Sequence, residues 1–475
     1  MHSQRQIDFE ESRNNTRTST PDVTHSGNIK KSSETAFLTE LFQRLNDNNI
    51  HYCVLRNYES LPYSLNGSDL DLLIPKSELT TTWKIIQHSA KECGGKCINK
   101  YRVEAVITSF LGYYDNKWWG AHIDIFPSLE HRGIPYYNAD KVIHSAKKHQ
   151  NILVATDGHA HITAFIKEIL ANGKSRKDYK DEASRAYEKD SSLYHEILIR
   201  YFGLFVAKRW RDHLIKGNQS VPNLKRLCYE ARFALICRAL FRQPVNFFSK
   251  KIQLIYRRYI RLFCPPGAIL AILGTDGSGK STIIEGIRPP LESALHTKLN
   301  YEHMRPNLLP SIARLFGRQT KEGPVTNPHG SKSSGFFGSF LRLSYYSLDY
   351  VLGYWLKVYP AKVKRPCLYV FDRYFYDFIT DPARSRISLP KWLIKLFAVL
   401  IPAPDLILCL GADPAVIHAR KPELPLIEVE RQMSELKKFC DSSPRAVWID
   451  TAQSVEKSVN QALESITNHM AARYE

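Results

Sequence analysis

The stretch AILAILGTDGSGKST, residues 268–282, decides the fold of the C-terminal half of this chain. Its first six residues are apolar and predict a buried strand, and the run STIIEGI from Ser281 onward has helical spacing. Between them, residues 274–281 match the pattern G-x-x-x-x-G-K-S/T in full. Glycines there let backbone N–H groups converge on phosphate oxygens at a helix N-terminus, which already favours anions. The stretch therefore predicts a strand, a phosphate-binding loop and a helix.

The loop also predicts which side chains hold a nucleotide. We expect Lys280 to neutralise the β and γ phosphates of a nucleotide and Ser281 to hold Mg²⁺ beside them. The expected nucleotide-binding set is the whole loop: Gly274, Thr275, Asp276, Gly277, Ser278, Gly279, Lys280, Ser281 and Thr282.

Length and composition predict a folded protein with more than one domain. The chain has 475 residues, 43% of them hydrophobic, which is too long for one ordinary core. Its 66 basic and 47 acidic residues give a net charge of +19, which implies an anionic partner. Nine cysteines without a framework indicate a reducing compartment, so the predicted location is cytoplasmic.

No stretch reads as a secretory signal or as a membrane span. The most apolar region, residues 392–412, is interrupted by Lys395, Pro402, Pro404 and Asp405. We predict that it forms a buried helix followed by a buried strand.

Changes in pattern along the chain predict four regions. Residues 1–33 are polar without apolar periodicity and are predicted to be a disordered tail. Residues 34–180 mix strand-like and helix-like pieces, and residues 181–263 are helical in period. Residues 264–475 alternate strands and helices. The predicted class is α/β: a three-layer parallel sheet at the C-terminus, an α+β domain at the N-terminus, and a helical basic connector.

Three motifs relate the C-terminal region to a known family. They are GTDGSGKST at 274–282, FDRY at 371–374, and PDLILCLGADPAVIHAR at 404–420. Their order and spacing resemble those of thymidylate kinases, which are P-loop kinases, from about Pro265 to the end of the chain. The resemblance implies transfer of the γ-phosphate of ATP to dTMP or a related small acceptor.

The same resemblance implies roles for charged residues around the loop. Asp276 stands where the family's loop aspartate approaches the acceptor sugar. Asp372 ends an apolar strand and would organise Mg²⁺ or the attacking oxygen, while Arg373 would clamp the transferring phosphoryl group.

A further cation is expected from a lid. Some thymidylate kinases carry an arginine inside the loop, where this chain has Gly277. The lid segment HARKPELP, residues 418–425, supplies Arg420 and Lys421, and we expect one of them to close over ATP. The predicted catalytic set is Lys280, Asp276, Asp372, Arg373, Arg420 and Lys421.

The acceptor side departs from the family pattern. Arg305 in YEHMRPNLLP corresponds to an arginine that binds the acceptor phosphate. The family's base-reading segment has an Asp-Arg pair, whereas this chain has Asp349 and Tyr350. Residues 323–340 are an insertion rich in Gly and Ser, predicted to be a flexible acceptor-side loop. The expected acceptor is therefore a small-molecule nucleotide or sugar phosphate.

Paired acids predict a second metal site in the N-terminal half. NGSDLDLLI places Asp69 and Asp71 two apart on a strand, so both side chains face the same way, and AHIDIF carries Asp124 on another strand. Three carboxylates from neighbouring strands can hold Mg²⁺ for nucleotidyl transfer. Together with VLRNYESLP at 54–62, these two motifs resemble the nucleotidyltransferase superfamily that includes polymerase β, over residues 35–180.

That resemblance has one departure. The family's Gly-Ser hairpin lies well before its paired acids, whereas here RNYE, residues 56–59, occupies that place. Two readings remain open: Arg56 takes over the phosphate contact, or the domain binds a ligand without turning it over. We expect His122 to be a packing residue.

The basic connector suggests further partners. Residues 224–263 carry ten basic residues against Glu230, mixed with aromatic and aliphatic residues at helical spacing. Such a segment can rest on anionic lipid, bind nucleic acid, or pack on a neighbouring domain with its arginines in water. We expect an anionic membrane surface in preference to nucleic acid, and we also expect a homodimer.

The leading prediction is an ATP-dependent phosphotransferase of the nucleoside monophosphate kinase type, with an appended nucleotidyltransferase-like domain. One alternative is a nucleotidyltransferase that acts on a sugar or glycan precursor, with the P-loop domain regulatory. Another is a non-catalytic nucleotide-dependent switch at a membrane or partner surface. The lid and the DRY motif favour the enzyme, because a switch needs no acceptor clamp.

Overall fold

The computed structural model describes residues 32–174, 177–216, 224–310, 312 and 335–474. The N-terminal half contains a mixed sheet of seven strands in the order β3-β4-β5-β2-β1-β9-β8. These strands are β1 (Cys53–Val54), β2 (Leu70–Leu73), β3 (Gly95–Arg102), β4 (Val106–Tyr114), β5 (Lys117–Phe126), β8 (Lys147–His149) and β9 (Ile152–Val154). A separate hairpin joins β6 (Leu129–His131) to β7 (Ile134–Tyr137).

The centre of this sheet positions the predicted acids. Strands β2 and β5 run parallel, and Asp71 pairs with Asp124 in their register. Every residue of β2 is buried, because apolar side chains occupy the remaining positions of this short strand. Strands β3, β4 and β5 form an antiparallel meander on one side.

Helices surround the sheet and continue into the basic segment. They are α1 (Ser33–Asp47), α2 (Leu79–Glu92), α3 (Ala139–His144), α4 (Asp157–Asn172), α5 (Lys177–Lys189), α6 (Ser191–Lys216), α7 (Leu224–Arg242) and α8 (Pro244–Phe263). Helix α6 bends at Gly203, whose φ of 79° is not helical. Helix α7 packs on the end of α4, where Arg232 Nε donates to the carbonyl oxygen of Leu170 at 2.9 Å. Residues 1–31 of the predicted tail lie outside the described residues, and Ser33 already belongs to α1.

The C-terminal half contains a parallel sheet of five strands in the order β11-β12-β10-β13-β14. The strands are β10 (Ala268–Leu273), β11 (Asn300–His303), β12 (Leu368–Asp372), β13 (Leu406–Gly411) and β14 (Ala446–Asp450). The first strand, β10, lies at the centre and the chain order reverses beside it. The loop after β10 therefore opens into the crevice at the carboxyl edge of the sheet, where ligands bind in such folds.

Helices cover both faces of this sheet, as predicted for a parallel sheet. They are α9 (Lys280–Leu295), α10 (Phe336–Gly353), α11 (Tyr359–Lys364), α12 (Asp377–Thr380), α13 (Lys391–Ala398), α14 (Pro414–Arg420), α15 (Leu426–Ser442) and α16 (Val455–Ala471). Alternate residues of β10 serve opposite faces: Leu270 and Ile272 pack with α9 and α16, while Ile269 and Ala271 pack with α10 and α15.

One expectation about burial was wrong. Strand β13 in the apolar region 392–412 is fully buried, as predicted. The helix before it is not, because α13 and the turn after it expose Trp392, Leu396, Val399 and Leu400. Helix α13 fully buries Ile394 alone, while Leu393, Phe397 and Ala398 pack partly buried against the same core.

The two sheets contribute residues to one common hydrophobic cluster. Ile98 of β3 and Leu111 of β4 pack into the same cluster as the residues of α9 and α16. Ser293 Oγ in α9 donates to the backbone oxygen of Gly120 in β5 at 2.9 Å. From Ser33 onward the chain forms one compact unit. Among the described residues, no helix is long and apolar enough to cross a membrane.

Candidate functional site

The loop between β10 and α9 depends on two glycines with left-handed backbone. Gly277 has φ of 86° and Gly279 has φ of 87°, a region that residues with a Cβ rarely adopt. A Cβ on Gly277 would lie 2.9 Å from the backbone oxygen of Ile417, in the helix that precedes the lid. The arginine that some thymidylate kinases place here therefore has no room in this chain.

Lys280 begins α9 inside this loop and is buried. Its Nζ donates to the backbone oxygens of Gly274 and Thr275, both at 2.9 Å. Burial lowers the pKa of Lys280 to about 7, and the positive charge of Arg373 adds to the effect, while neighbouring carboxylates oppose it. Phosphate oxygens would favour the charged ammonium, because they would add negative charge beside it.

Asp276 and Arg373 form the centre of the charge network. The guanidinium of Arg373 donates to Asp276 at 2.6 Å and to Asp377 at 2.7 Å, and Arg384 also donates to Asp276. Burial opposes ionisation of Asp276, but Arg373, Lys280 and Arg384 hold its pKa well below the usual range. Although burial also opposes the charge on Arg373, its two carboxylates raise the pKa of the guanidinium.

Asp372 ends β12 beside the loop. Tyr301 donates its hydroxyl proton to Asp372 Oδ2 at 3.1 Å, and Nδ1 of His303 lies 3.5 Å from the same oxygen. Burial works against ionisation, yet His303 and Lys280 keep the pKa of Asp372 below its usual value. Among the described residues, Asp372 Oδ1 is buried without a hydrogen-bond partner. A carboxylate oxygen without a hydrogen-bond partner, in the cleft that Ser281 also lines, suits a hard cation such as Mg²⁺.

One cleft of about 490 Å³ joins these groups. It brings together all six residues of the predicted catalytic set: Asp276, Lys280, Asp372, Arg373, Arg420 and Lys421. In the lid, Arg420 donates to the backbone oxygen of Thr451 at 2.8 Å, and Lys421 lies 3.2 Å from Glu423. The lid cations therefore line the cleft but are bonded to neighbouring protein groups.

Arg384 is a cleft residue that the sequence did not single out. It lies in a short 3₁₀ turn, Ala383–Ser385, after the DRY motif. The available signal was a basic residue in the polar loop after a strand-end motif, which is too common a feature to identify a site.

The predicted acceptor residues are not among the described residues that line this cleft. Asp349 is fully buried and accepts from Arg305 at 2.9 Å and from the N–H of Leu309 at 2.6 Å. Tyr350 packs in the core and donates its hydroxyl to the backbone oxygen of Met304. The acceptor-binding roles of these residues stay predictions. Of the predicted loop 323–340, residues 323–334 lie outside the described residues, and the prediction was wrong for residues 336–340, which begin helix α10.

The three N-terminal acids converge into one cluster. A carboxylate oxygen from each of Asp69, Asp71 and Asp124 lies within 4.8 Å of the other two. Asp71 Oδ1 is buried without a hydrogen-bond partner among the described residues. The donor set suits a divalent cation, but Arg56 already pairs with Asp71 and lies 3.4 Å from Asp69.

The pKa values of Asp69 and Asp71 shift in opposite directions, and the cluster lies beside the C-terminal end of α9. Burial raises the pKa of Asp71, whereas Arg56 overcomes burial and lowers that of Asp69. His122 Nε2 lies 3.4 Å from Asp124, and its ring stacks on His296 with a centroid distance of 5.8 Å. His296 caps α9, so the helix that begins at the phosphate loop ends beside these acids.

The parallel sheet and its loop are consistent with a P-loop kinase-like fold. No protein-family model matches the chain. A probable thymidylate kinase from Pyrobaculum aerophilum is 27% identical over 153 residues, which cover 32% of this chain and 69% of that protein. The crystal structure of a thymidylate kinase from Ehrlichia chaffeensis aligns over 42% of this chain and 97% of its own, with 12% identity and a TM-score of 0.29. The sequence similarity supports a nucleotide-kinase-like function.

Proposed function

We propose that the C-terminal half transfers the γ-phosphate of ATP to a nucleoside monophosphate or a related small acceptor, with dTMP as the first candidate. The observation that carries this proposal is the convergence of Lys280, Asp372 and Arg373 on one cleft with the cations of the lid. The similarity to a probable thymidylate kinase supports the choice of a nucleotide acceptor.

The residues of the cleft have different roles in phosphoryl transfer. The reaction requires little covalent help from a protein, so positioning and charge neutralisation supply most of the rate. Backbone N–H groups of the loop and the ammonium of Lys280 bind the phosphates. Ser281 and Asp372 would hold Mg²⁺, which neutralises charge on the phosphate oxygens. Arg373 and Arg384 lie where they can approach the transferring group.

Asp276 accepts hydrogen bonds from these guanidinium groups until phosphate oxygens replace it as their acceptor. Its two carboxylate oxygens are each paired with one arginine, Arg373 or Arg384. When phosphate oxygens compete for the same N–H donors, the carboxylate is released toward the acceptor. Asp276 can then accept a hydrogen bond from an acceptor hydroxyl, which orients the nucleophile.

The test is a screen of phosphate transfer from ATP to nucleoside monophosphates and sugar phosphates. Wild type is compared with Lys280→Ala and with the double variant Asp69→Ala, Asp71→Ala. The proposal expects ADP formation that depends on one acceptor and disappears in Lys280→Ala only. ATP binding with no transfer to any acceptor would contradict it and would favour the nucleotide-dependent switch.

A second candidate function concerns the N-terminal half. The pairing of Asp71 with Asp124 on parallel strands, with Asp69 alongside, favours nucleotidyl transfer to a sugar or glycan precursor. In this case Arg56 would give up its carboxylates to the metal and contact a phosphate instead. Pyrophosphate release from a nucleoside triphosphate, lost in the double Asp variant and kept in Lys280→Ala, is the expected result. Absence of pyrophosphate release with every acceptor would reject it.

A further inference from the structure

Helix α8 presents its apolar side to solvent. We define the α8 stripe by the six apolar residues that recur at spacings of three and four: Val245, Phe248, Ile252, Ile255, Tyr259 and Leu262. This spacing places them on one side of the helix. Their exposed fractions range from 47% to 82%, and no residue of α8 is buried. An apolar stripe of this length costs hydrophobic free energy unless something covers it.

The basic side of α8 faces the protein instead. Lys250 pairs with Glu130, and Lys251 Nζ donates to the backbone oxygen of Arg132 at 2.8 Å. Arg257 donates to the backbone oxygen of Val103 at 2.6 Å. A surface helix normally buries its apolar side, so the orientation of α8 is reversed. The polar contacts fix this orientation and hold the stripe outward.

The exposed apolar surface continues beyond the end of α8. Tyr359 donates its hydroxyl to the backbone oxygen of Leu262, and its ring lies 5.0 Å from that of Trp355. Trp355 and its neighbour Leu356 are both exposed. Aromatic rings beside aliphatic side chains are typical of segments that lie at the boundary between headgroups and acyl chains.

A cationic cleft opens at the C-terminal end of the stripe. It has a volume of about 490 Å³ and includes Ile260 and Phe263 of α8. Its charged lining consists of Lys100, Arg102, Arg257, Arg261, Arg473 and Asp405. The single acid is already paired, with Lys362 at 2.8 Å and Arg473 at 2.7 Å.

Two groups in this cleft have unused hydrogen-bond donors. Within the described part of the chain, the guanidinium of Arg102 makes no hydrogen bond or ion pair, and Nε of Arg261 is buried without an acceptor. Donors of this kind beside an apolar wall suit a phosphodiester whose acyl chains leave along Phe263.

We propose that the α8 stripe lies on an anionic phospholipid bilayer and that this cleft receives the phosphate of a lipid headgroup. A second copy of the chain fits less well, because five basic residues line the described part of the cleft beside the stripe and its acid is already paired, so two such clefts brought together would repel. An anionic surface attracts the same charges. The helix would lie in the plane of the interface.

The test is flotation of the full-length protein with vesicles. Vesicles of phosphatidylcholine alone are compared with vesicles that also contain phosphatidylglycerol, at low and high salt. We expect flotation with the anionic vesicles at low salt and weaker flotation at high salt, because salt screens the attraction. No flotation with anionic vesicles at low salt would overturn the proposal.

Variants separate the stripe from the cleft. Ile252→Ser with Ile255→Ser should weaken partition about tenfold, because buried apolar area is lost. Arg102→Gln should weaken binding to anionic vesicles about fivefold and leave the weak binding to phosphatidylcholine unchanged. The matched control, Tyr63→Ser with Ile427→Ser, removes exposed apolar side chains outside the stripe and should partition as wild type does.

Light scattering of the same proteins tests the alternative that a second copy of the chain covers the α8 stripe. We expect the stripe variant and wild type to have the same mass in solution and the same midpoint of thermal unfolding. A wild-type dimer that dissociates in the stripe variant would assign the stripe to a second copy and overturn the proposal. Equal flotation of wild type and the stripe variant would also overturn it.

Discussion

Arg373 donates to Asp276 across 2.6 Å and so joins the end of β12 to the phosphate loop after β10. Arg373 has φ of 73°, a left-handed conformation that costs about 1 kcal/mol or more in a residue with a Cβ. The two ion pairs, to Asp276 and to Asp377, compensate for this strain and fix the direction of the guanidinium. The loop, the strand end and the following turn therefore behave as one electrostatic unit.

Asp276→Asn should destabilise the protein by about 2 kcal/mol at neutral pH, because it leaves two arginines with fewer acceptors. The pKa of Asp276 is lowered in the folded state, so its contribution is present above the unfolded pKa, about 4, and is lost as the pH falls further. Urea unfolding of wild type and Asp276→Asn, carried out from neutral to acidic pH, measures the difference in their free energies of unfolding.

The difference in free energy of unfolding between wild type and Asp276→Asn should become smaller below about pH 4. Asp441→Asn is the control, since it removes an exposed acid paired with Lys437 and should change stability by less than about 0.5 kcal/mol. A difference between wild type and Asp276→Asn that grows as the pH falls would contradict the assigned ion pairs.

ATP binding should take up a proton at mildly alkaline pH. The pKa of Lys280 is about 7 because burial disfavours the ammonium, and bound phosphate favours it. Below pH 7 the free protein is already protonated at this site. Above pH 7 the affinity for ATP should therefore fall, by up to about tenfold per pH unit, until the pKa of the bound state is reached.

Titration calorimetry in two buffers of different ionisation enthalpy measures this proton uptake. At pH 8 we expect close to one proton per ATP bound by wild type. Lys280→Arg, which keeps its charge throughout, should show no such uptake. The same proton count in both proteins would assign the uptake to another group.

The phosphate site was predictable because its information is local. A strand, a Gly-rich loop and a helix follow one another within fifteen residues. Lys280 and its loop could therefore be predicted without information about distant contacts. Asp69 and Asp71 were also placed on one face by the period of the strand. That Asp124 pairs with Asp71 follows from the strand register, which the sequence only suggested.

Tertiary packing decided what the sequence did not predict. Arg384 belongs to the cleft only because its turn folds back onto Asp276. Asp349 is fully buried against Arg305, which no local pattern indicates. The periodicity of α8 predicted a helix with an apolar face, but its outward orientation depends on contacts with β6 and the turn after β3.

Substitution of the cleft cations should separate binding from catalysis. Arg420→Ala, Lys421→Ala and Arg384→Ala each remove a positive charge from the cleft. Where the cation contacts the transferring phosphoryl group, kcat should fall about 100- to 1000-fold with little change in KM for ATP.

Steady-state kinetics with the acceptor found by screening measures these effects. Lys437→Ala is the control, because this exposed lysine in α15 lies outside the cleft and should keep wild-type kcat. If both lid variants retain wild-type kcat, the lid does not neutralise charge in the transition state. Arg384 would then supply the positive charge that was expected from the lid.

The contact between β5 and α9 should be sensitive to a single methyl group. A Cβ on Gly120 would lie 2.5 Å from the backbone oxygen of Pro290 and from the backbone nitrogen of Ala294. These are main-chain atoms, so the contact cannot be relieved by a side-chain rotation. Gly120→Ala should lower the free energy of unfolding by about 3 kcal/mol.

Gly335→Ala is the matched control, because no atom of the described residues lies within 4 Å of its added Cβ and its φ of −59° suits alanine. It should unfold at the wild-type denaturant concentration, while Gly120→Ala unfolds earlier. Since α9 carries Lys280 at its other end, a shift of this helix should also weaken ATP binding in Gly120→Ala. Equal unfolding midpoints for the two variants would mean that the sheet and the phosphate-loop helix are not in main-chain contact.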